Sequence, residues 1–338
     1  MSSAISSITK AATRMDREPL DILCNSIHES YQTSLSKCNA RFWIYDHPHC
    51  KKWDENYRPL PPNFIQLDGA LKEFQLPLHV DFDLVLIESV FGHFQFMKPI
   101  ANRLHLPTIR LEHTSRMPWW DNQRMVDLKN LRGDINVFIS SQSRDDWGFG
   151  ADEARVVEHG LDLDIYKPDL SRERSGGLSV VNDFINRGNI LGFDNWRAIT
   201  KDLPTKILGK TPGLSEPAKS VEDLIAHYQE ASIFVNTSVY SPIPMSVLEA
   251  AACECAIVST ATCAIPDIFT HGINALLSND PKELRSHYEM LLAKPDYARE
   301  LGHNARELML ERFNLGRFTA QWNELFVEAA NIPYRGAV

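Results

Sequence analysis

The sequence predicts an α/β protein made of two doubly wound domains, each built on a parallel sheet. Short apolar runs alternate with segments of helical periodicity along most of the chain. Several runs are nearly continuous in Val, Ile, Leu and Phe, which is typical of parallel strands buried on both faces. With 338 residues, 43% of them apolar, the chain is long enough for about two domains with cores of their own.

The first part of the chain contains strand-like apolar runs with helical segments between some of them. Strands that alternate with helices form βαβ units and therefore an open parallel sheet. The predicted strands are Leu20–Cys24, Ala40–Tyr45, Phe64–Leu67, Leu84–Glu88, Thr108–Leu111 and Ile135–Ile139. The predicted helices are Gly92–Leu104 and Gln142–Phe149.

The second part repeats the alternation after a polar stretch rich in turn residues at Glu158–Gly177, which predicts a linker. Its predicted strands are Leu178–Asn182, Thr205–Leu208, Ile233–Asn236 and Ala256–Ser259. Its predicted helices are Phe193–Lys201, Val221–Glu230, Met245–Glu254, Pro281–Ala293, Tyr297–Phe313 and Leu315–Ala329.

These elements divide the chain into an N-terminal arm at 1–18, a first domain at 19–165, a second domain at 170–314, and a final helix and tail at 315–338. In open α/β sheets, ligands bind beyond the carboxyl ends of the strands. We therefore expect the two domains to face each other across a cleft that holds the ligand site.

Composition excludes several classes of function. The 35 Lys and Arg against 44 Asp and Glu give a net charge of −9, so the whole molecule has no electrostatic attraction to nucleic acid or anionic membranes. No apolar stretch reaches the roughly 20 residues that span a bilayer. The six cysteines include no CxxC pair and are interpreted as reduced, which predicts a cytoplasmic protein.

Common cofactor and metal motifs are missing from the sequence. Neither GxGxxG after the first strand nor GxxxxGK[ST] occurs, which disfavours dehydrogenases and P-loop enzymes. The His47-Pro48-His49-Cys50 cluster lacks a second ligand pair, so it is interpreted as a loop with incidental histidines.

One segment of the second domain carries a specific series of motifs. A loop at Pro242–Pro244 opens a helix that contains Glu249, and small residues lead into the strand Ala256–Ser259. The turns Ile265-Pro266-Asp267 and His271-Gly272-Ile273-Asn274 follow. This order and spacing resembles the donor-binding segment of the glycosyl transferases group 1 family, which has the GT-B fold.

Three further segments extend the resemblance to about residues 80–330. Arg155–Pro168 is similar to the family's interdomain strand and turn, and Asp83–Glu88 with Pro107–Thr114 is similar to its paired strands. The helix Arg312–Trp322 resembles the one that crosses back to the N-terminal domain. The resemblance implies two Rossmann-like domains and a retaining, metal-independent glycosyltransferase that uses a nucleotide-diphosphate sugar as donor substrate and no cofactor.

The start of the helix at Pro244–Val247 suits a diphosphate, because its backbone N–H groups and positive dipole end attract anions. Ser246 adds a hydroxyl donor, and Glu249 suits a ribose diol because a carboxylate only accepts hydrogen bonds. Ser241 stands where the family has a first glutamate, so the donor sugar stays open. The predicted donor-binding residues are Arg187, Lys210, Pro244, Met245, Ser246 and Glu249.

The resemblance assigns the acceptor side to the first domain. His113 matches the family's cleft histidine and is predicted, with Glu249, as a catalytic residue. A strip at Arg110–Arg132 combines tryptophans with five basic and three acidic side chains, and arginines bind phosphates. The predicted acceptor-binding residues are His28, Glu29, Tyr31, Arg116, Trp119 and Trp120.

Several alternatives stay open at this point. The acceptor is a glycan, a lipid-linked or phosphate-bearing molecule, or a modified DNA base. The strip itself is alternatively a helix with a solvated basic face and tryptophans in the core, with no role in binding. His28–Tyr31 are alternatively interpreted as a polar loop that contacts no ligand. Arg187 is alternatively an ordinary surface cation. An epimerase or hydrolase of nucleotide sugars and a non-catalytic binding module are the competing functions. The oligomeric state is open.

Overall fold

The computed structural model describes residues 19–45, 52–55, 57–67, 76–77 and 79–333. The predicted N-terminal arm and the cluster at 47–50 lie outside these residues. The chain forms two compact units. The first unit contains residues up to Thr114, Pro118–Glu158 and the chain from Phe318 on; the second contains Ser115–Met117 and His159–Arg317.

The first unit is built on a seven-stranded parallel sheet of order β3-β2-β1-β4-β5-β6-β7. Its strands are β1 (Leu20–Cys24), β2 (Ala40–Ile44), β3 (Phe64–Gln66), β4 (Leu84–Glu88), β5 (Thr108–Glu112), β6 (Ile135–Phe138) and β7 (Arg155–Val156). The helices between them are α1 (Glu29–Leu35), α2 (Phe94–Leu104), α3 (Asn122–Asn130) and α4 (Ser141–Asp146).

The order of the strands places a topological switch point between β1 and β4. The chain builds outward from β1 to β3 and then returns to the other side of β1 with β4. Ile22 pairs with Leu84 and Cys24 with Leu86, so the carboxyl ends of β1 and β4 lie side by side. All residues of β1, β4 and β5 are buried. Ligand sites in open α/β sheets occur at such switch points.

The second unit has a five-stranded parallel sheet of order β12-β11-β10-β8-β9. Its strands are β8 (Gly177–Val180), β9 (Thr205–Leu208), β10 (Ile233–Asn236), β11 (Ala256–Ser259) and β12 (Leu276–Leu277). Its helices are α5 (Gly188–Leu191), α6 (Phe193–Thr200), α7 (Val221–Glu230), α8 (Met245–Ala252), α9 (Ile265–Ile268), α10 (Pro281–Ala293) and α11 (Pro295–Arg312). The switch point lies between β8 and β10.

The last helix, α12 (Leu315–Ala330), contributes to the first unit from Phe318 on. Its Trp322 is buried and donates a hydrogen bond from Nε1 to Oη of Tyr31 at 3.0 Å. Phe318 meets the Tyr31 ring edge-on, and Phe326 packs against Phe42. The aromatic face of α12 is therefore part of the core of the first unit.

Most predicted elements are confirmed, five strands and two helices residue for residue. Two of the elements that are shorter than predicted end close to a residue of positive φ. The predicted strand at Leu178–Asn182 stops at Val180 before Asp183 (φ +54°), and the helix that was extended to Glu254 stops at Ala252 because Glu254 has φ +62°. The polar loop considered at His28–Tyr31 is wrong, because α1 begins at Glu29.

No helix among the described residues is long and apolar enough to cross a membrane. None of the described cysteines, Cys24, Cys38, Cys253, Cys255 and Cys263, forms a disulfide. Burial raises the pKa of Cys38 to about 12 and that of Cys255 to about 11. These two groups are therefore thiols rather than thiolates at neutral pH, and packing rather than nucleophilic chemistry accounts for them.

Candidate active site

Two loops at the carboxyl ends of β8 and β9 are tied together. Asp183 donates its backbone N–H to the carbonyl of Lys210 at 2.9 Å, and Lys210 donates its own to Oδ1 of Asn182 at 2.8 Å. Gly209 has φ +121°, and a Cβ there would lie 2.0 Å from the carbonyl oxygen of Val181. Only glycine permits this approach, so the residue type itself fixes the two loops side by side.

The loop after β8 is also joined to the segment that follows β10. The carbonyl of Ile190 in α5 accepts hydrogen bonds from the backbone of Val239 at 2.8 Å and of Tyr240 at 3.1 Å. Arg187, which is exposed, directly precedes α5. The half-buried Ser241 follows in the joined segment. The structure thus brings Arg187 to the switch point of the second sheet.

Helix α8 starts at this same edge of the sheet. Pro244 precedes it in an extended conformation, and no side chain among the described residues caps its first turn. Met245 and Ser246 are half-buried in that first turn. The backbone N–H groups of an uncapped first turn provide a positive dipole end, the feature that was predicted to bind a diphosphate.

Glu249 is held in place from inside the protein. Its side chain is only 4% exposed, and its Oε2 accepts a hydrogen bond from Oη of Tyr228 on α7 at 2.8 Å. Burial and the charge of Glu249 raise the pKa of Tyr228 well above its ordinary value. Tyr228 is therefore a permanent donor that orients the carboxylate. The sequence analysis missed it, because an isolated helical tyrosine gives no signal.

A groove of 530 Å³ lies along the edge strand β9, on one side of the tied loops. Its lining includes Lys206, Ser215, Asp223 and His227. None of the predicted donor-binding residues lines it. Lys210 is exposed on the loop above, and its backbone rather than its side chain provides the contacts described above.

In the first unit, Asn25 and Glu88 join the ends of β1 and β4. The Asn25 amide donates to the carbonyl of Glu88 at 3.2 Å and accepts from its backbone N–H at 3.1 Å. Gln32 on α1 donates from Nε2 to Oε1 of Glu88 at 2.7 Å and to the carbonyl of Asn25 at 2.8 Å. Glu88 is thus fixed at the switch point of the first sheet.

The residue after Glu88 has a strained backbone. Ser89 has φ +73°, a conformation that is uncommon for residues other than glycine and that clusters at functional sites. Its backbone N–H donates to the carbonyl of Leu111 on the neighbouring strand at 2.7 Å. The turn directs the chain away from the sheet directly behind Glu88.

His113 follows β5 and lies against this cluster. Its Nε2 is 3.6 Å from Oε2 of Glu88, and its side chain is 11% exposed. Its ring meets that of Tyr31 edge-on at 4.6 Å and stacks on that of His28 at 5.9 Å. The structure thus brings together three predicted residues, His28, Tyr31 and His113. The fourth member of the cluster, Glu88, was not predicted, although a carboxylate at the end of an apolar run was a signal for it.

The pKa values of this pair are displaced in opposite directions. Burial lowers the pKa of His113 to about 4. Burial, assisted by the nearby charge of Glu29, raises the pKa of Glu88 to about 8, against the opposing effect of the Gln32 hydrogen bond. At neutral pH the histidine is therefore unprotonated and the glutamic acid is protonated, so their contact is not an ion pair.

The remaining residues around α1 hold its first turn. His28 is the N-cap, and its Nδ1 accepts from the backbone of Tyr31 at 3.5 Å. Glu29 is buried and accepts from the backbone of Asp54 at 3.2 Å. Glu29 therefore contacts the protein itself, whereas His28 and Tyr31 line the ring of His113.

The basic-aromatic strip differs from the prediction in two respects. Arg110 is fully buried, with its guanidinium 4.8 Å from the Trp147 ring centre and 3.7 Å from Glu112. Trp120 is also buried and packs against Trp147. Both face the core because β5 and the segment before α3 pack on this aromatic cluster. They are therefore not on the surface that the strip was predicted to present.

Most of the other cations in the strip have partners. Arg124 lies over the Trp120 ring at 5.0 Å. Lys129 and Arg132 pair with Glu153 at 3.3 Å and 2.6 Å. A backbone hydrogen bond from Gly150 and these two cations lower the pKa of Glu153 to about 2. Exposed positions of the strip include Arg116 and Trp119, the latter 54% exposed.

The described residues contain no group of three or more His, Cys, Asp or Glu side chains placed to hold one metal ion.

Part of the second unit matches a known family. Residues 199–294 match the sequence profile of the glycosyl transferases group 1 family. A segment of 118 residues is 31% identical to alpha-maltose-1-phosphate synthase of Mycolicibacterium smegmatis. That alignment covers 32% of this chain, and the chain spans only 30% of the length of that relative. The resemblance to this family that the motifs predicted is confirmed.

Solved structures resemble nearly the whole chain. Sucrose-phosphate synthase from Thermosynechococcus elongatus has a TM-score of 0.68 at 16% identity, over 91% of this chain and 98% of that one. Anabaena HepE in complex with UDP and glucose has a TM-score of 0.70 at 12% identity, over 91% and 99%. At these identities the similarity shows the fold alone. It confirms the predicted class, two Rossmann-like sheets as in GT-B glycosyltransferases.

Proposed function

We propose that this chain, which matches the glycosyl transferases group 1 family over residues 199–294, is a retaining glycosyltransferase. It moves a sugar from a nucleotide-diphosphate sugar to an acceptor hydroxyl without a metal ion or other cofactor. The observation that carries the proposal is the uncapped first turn of α8 followed by Glu249, which Tyr228 holds in place. HepE, which has the same fold, binds UDP and glucose.

In this proposal the second unit binds the donor. The first turn of α8, with Met245 and the hydroxyl of Ser246, binds the diphosphate, and Glu249 accepts hydrogen bonds from the ribose. Arg187 and Lys210 supply positive charge to the leaving nucleotide diphosphate, whose negative charge grows as the bond to the sugar breaks. The tied loops after β8 and β9 hold both cations at the same sheet edge.

The first unit binds the reacting sugar and the acceptor through His28, Tyr31 and His113. Because its pKa is about 4, His113 is a neutral hydrogen-bonding group and not a cation. We infer that the leaving phosphate takes the proton of the acceptor hydroxyl, so that His113 orients the reactants rather than removing a proton. This role fits a side chain that is almost buried and held by packing.

The contacts in the strip favour an uncharged acceptor, such as a sugar hydroxyl, over a phosphate-bearing one. Arg110, Arg124, Lys129 and Arg132 are all engaged within the protein. A polyanion would have to bind mainly through Arg116, whereas the exposed face of Trp119 suits stacking on a sugar ring. Trp119 and Arg116 are our proposed acceptor contacts outside the cluster around His113.

A panel of uridine and guanosine diphosphate sugars, read by released nucleotide, tests the function. Transfer requires that release depends on an added acceptor; release without one indicates a hydrolase or epimerase. Nucleotide binding without any release indicates a non-catalytic module, the alternative that Ser241 supports.

We expect Glu249→Ala to weaken binding of the nucleotide diphosphate at least tenfold, whereas the exposed Glu222→Gln on α7 leaves it unchanged. Equal affinity in both variants would contradict the donor site.

A further inference from the structure

Glu88 is a buried acid without a role in the proposed donor or acceptor contacts. Gln32 occupies its Oε1. Its Oε2 is buried and receives no hydrogen bond from the described residues, and the ring nitrogen Nε2 of His113 lies 3.6 Å away. A buried acceptor left in this way costs free energy, unless the oxygen carries a hydrogen and acts as a donor.

The groups around Glu88 disfavour its ionised form. Helix α1 presents Glu29, whose charge opposes a second one; the hydrogen bond from Gln32 on the same helix favours the carboxylate, but burial outweighs it. Strand β1 presents the thiol of Cys24, whose pKa is raised by burial and by Glu88. Strand β5 presents Glu112 and, after it, His113, while the Arg110 guanidinium lies 3.7 Å from Glu112 against Trp147.

We propose that Glu88 is a positioning residue for His113, donating its carboxyl hydrogen from Oε2 to Nε2 and so fixing His113 as the Nδ1–H tautomer. The separation of 3.6 Å is about 0.8 Å longer than the usual hydrogen bond of an O–H donor, so the two groups have to approach for the bond to form. Catalytic hydrogen bonds are commonly long in unliganded structures, but this one has to form without substrate if it is to fix the tautomer of the free protein. The bond exchanges no proton: the hydrogen stays on Glu88 and the lone pair of Nε2 accepts it.

The tautomer has a consequence that rests on the proposed function. With its Nε2 lone pair engaged by Glu88 and a hydrogen on Nδ1, His113 contributes a hydrogen-bond donor to the reacting oxygens and no basic lone pair. The histidine is thereby excluded as the general base of the transfer. The opposite arrangement, an ionised Glu88 beside an imidazolium, would make His113 an acid with two N–H groups.

Glu88→Gln separates the two arrangements because the amide resembles the protonated acid. Its oxygen can still accept from Gln32, and its NH₂ group can donate to Nε2 of His113. Glu88→Leu has similar bulk but no donor, and we expect it to release the tautomer. If Glu88 acts as a hydrogen-bond donor, Glu88→Gln should keep its function and Glu88→Leu should lose it. If Glu88 instead forms an ion pair with His113, both variants should lose the function to the same degree.

The direct test is a nitrogen NMR measurement on the full chain labelled with ¹⁵N-histidine, which needs no substrate. His113→Asn identifies the signals of His113. Between pH 6 and 7.5 we expect one protonated and one unprotonated ring nitrogen, with Nδ1 protonated, in the wild type and in Glu88→Gln. In Glu88→Leu we expect a mixture of tautomers. An imidazolium at pH 6.5, or the Nε2–H form, would overturn the proposal, whatever the enzyme's activity proves to be.

The kinetic test applies once a donor has been found by the nucleotide-sugar panel. We expect kcat/KM of the wild type to fall above about pH 8, where Glu88 ionises, and this fall to vanish in Glu88→Gln. At pH 7 the Gln variant loses no more than about fivefold, and Leu loses tenfold or more. If Glu88→Gln also loses tenfold while its circular dichroism is unchanged, the ionised form is required and the proposal is wrong.

Discussion

At the scale of single residues, Glu88 and His113 contribute to the dependence of stability on pH, because their pKa values are displaced in opposite directions. The ordinary pKa values of the two groups are 4.5 and 6.5, whereas in the folded protein they are about 8 and about 4. Between pH 4.5 and 6.5 the folded pair holds one proton on Glu88, and the unfolded chain holds one on His113. The pair therefore adds no pH dependence in that range.

Above pH 6.5 the balance changes, because unfolded His113 loses its proton while folded Glu88 keeps one. The free energy of unfolding therefore falls as the pH rises toward 8, with a slope near 1.4 kcal/mol per pH unit. We expect the free energy of unfolding of the wild type to fall by on the order of 1–2 kcal/mol more than that of Glu88→Gln between pH 6.5 and 8. Urea titrations at the two pH values measure this; parallel changes in both proteins would refute it.

The hydrogen bond from Tyr228 to Glu249 allows a second prediction at this scale. Tyr228→Phe leaves the buried carboxylate without this donor, so we expect a loss of about 1–2 kcal/mol in the free energy of unfolding. We also expect weaker nucleotide binding, because the carboxylate is no longer oriented.

The matched control for Tyr228→Phe is Tyr288→Phe in the same unit. Tyr288 is also buried, and it donates to the carbonyl of Pro204 near the amino ends of β8 and β9, away from the proposed donor site. It should lose stability to a similar degree and keep nucleotide affinity. Isothermal titration calorimetry distinguishes the two variants; equal affinity in both would show that Tyr228 only stabilises the fold.

At the scale of elements, the paired loops after β8 and β9 depend on one glycine. In Gly209→Ala the new Cβ would lie 2.0 Å from the carbonyl of Val181, in addition to the cost of φ +121°. We expect a loss of about 3 kcal/mol or more in unfolding free energy, together with weaker nucleotide binding. Differential scanning calorimetry and nucleotide titration provide the two measurements.

Gly213→Ala in the same loop distinguishes backbone strain at positive φ from a steric clash of the new Cβ. Gly213 also has positive φ, but a Cβ there has no neighbour within 4 Å. Its substitution should cost only about 1 kcal/mol and leave the loops joined. If the two alanine variants behave alike, backbone strain alone accounts for the effect and the close approach to Val181 is irrelevant.

The elements that could be predicted from the sequence are those whose signal is local. Apolar runs identified β1, β4 and β9–β11, although Asp21 interrupts β1 and β9 begins with Thr205-Lys206. Flanking turn residues identified α7 and α10. The two-residue strands β7 and β12 are too short to show a pattern, so β12 was missed and only the family resemblance indicated a strand beginning at Arg155. Helix α1 was not predicted, because its residues, beginning Glu29-Ser30, are mixed in polarity.

The candidate site was predictable only where one segment holds it. The series from Pro242 to Glu249 lies on one loop and one helix, so spacing was sufficient. The cluster of Glu88, His113 and Tyr31 depends on the order of β1, β4 and β5 in the sheet, which periodicity does not specify. Arg110 was misassigned because a cation on a strand usually faces solvent, whereas here aromatic rings and Glu112 enclose it.

At the scale of the whole molecule, the net charge of −9 and the engaged cations of the strip lead to the same expectation. We expect no measurable binding of duplex or single-stranded DNA in fluorescence anisotropy at 50 mM salt. Affinity that falls linearly in log–log plots against salt, and that disappears in Arg116→Ala, would establish a polyanion site instead.

The first unit is assembled from segments that are far apart in the sequence, and this affects the order of folding during translation. During translation, the strands of the first sheet leave the ribosome before His159–Arg317, which is almost all of the second unit. The helix that supplies Phe318, Trp322 and Phe326 to their core is made after all of it. The second unit, complete at Arg317, can close while the first still exposes apolar surface to chaperones. The unit made first is therefore the one finished last.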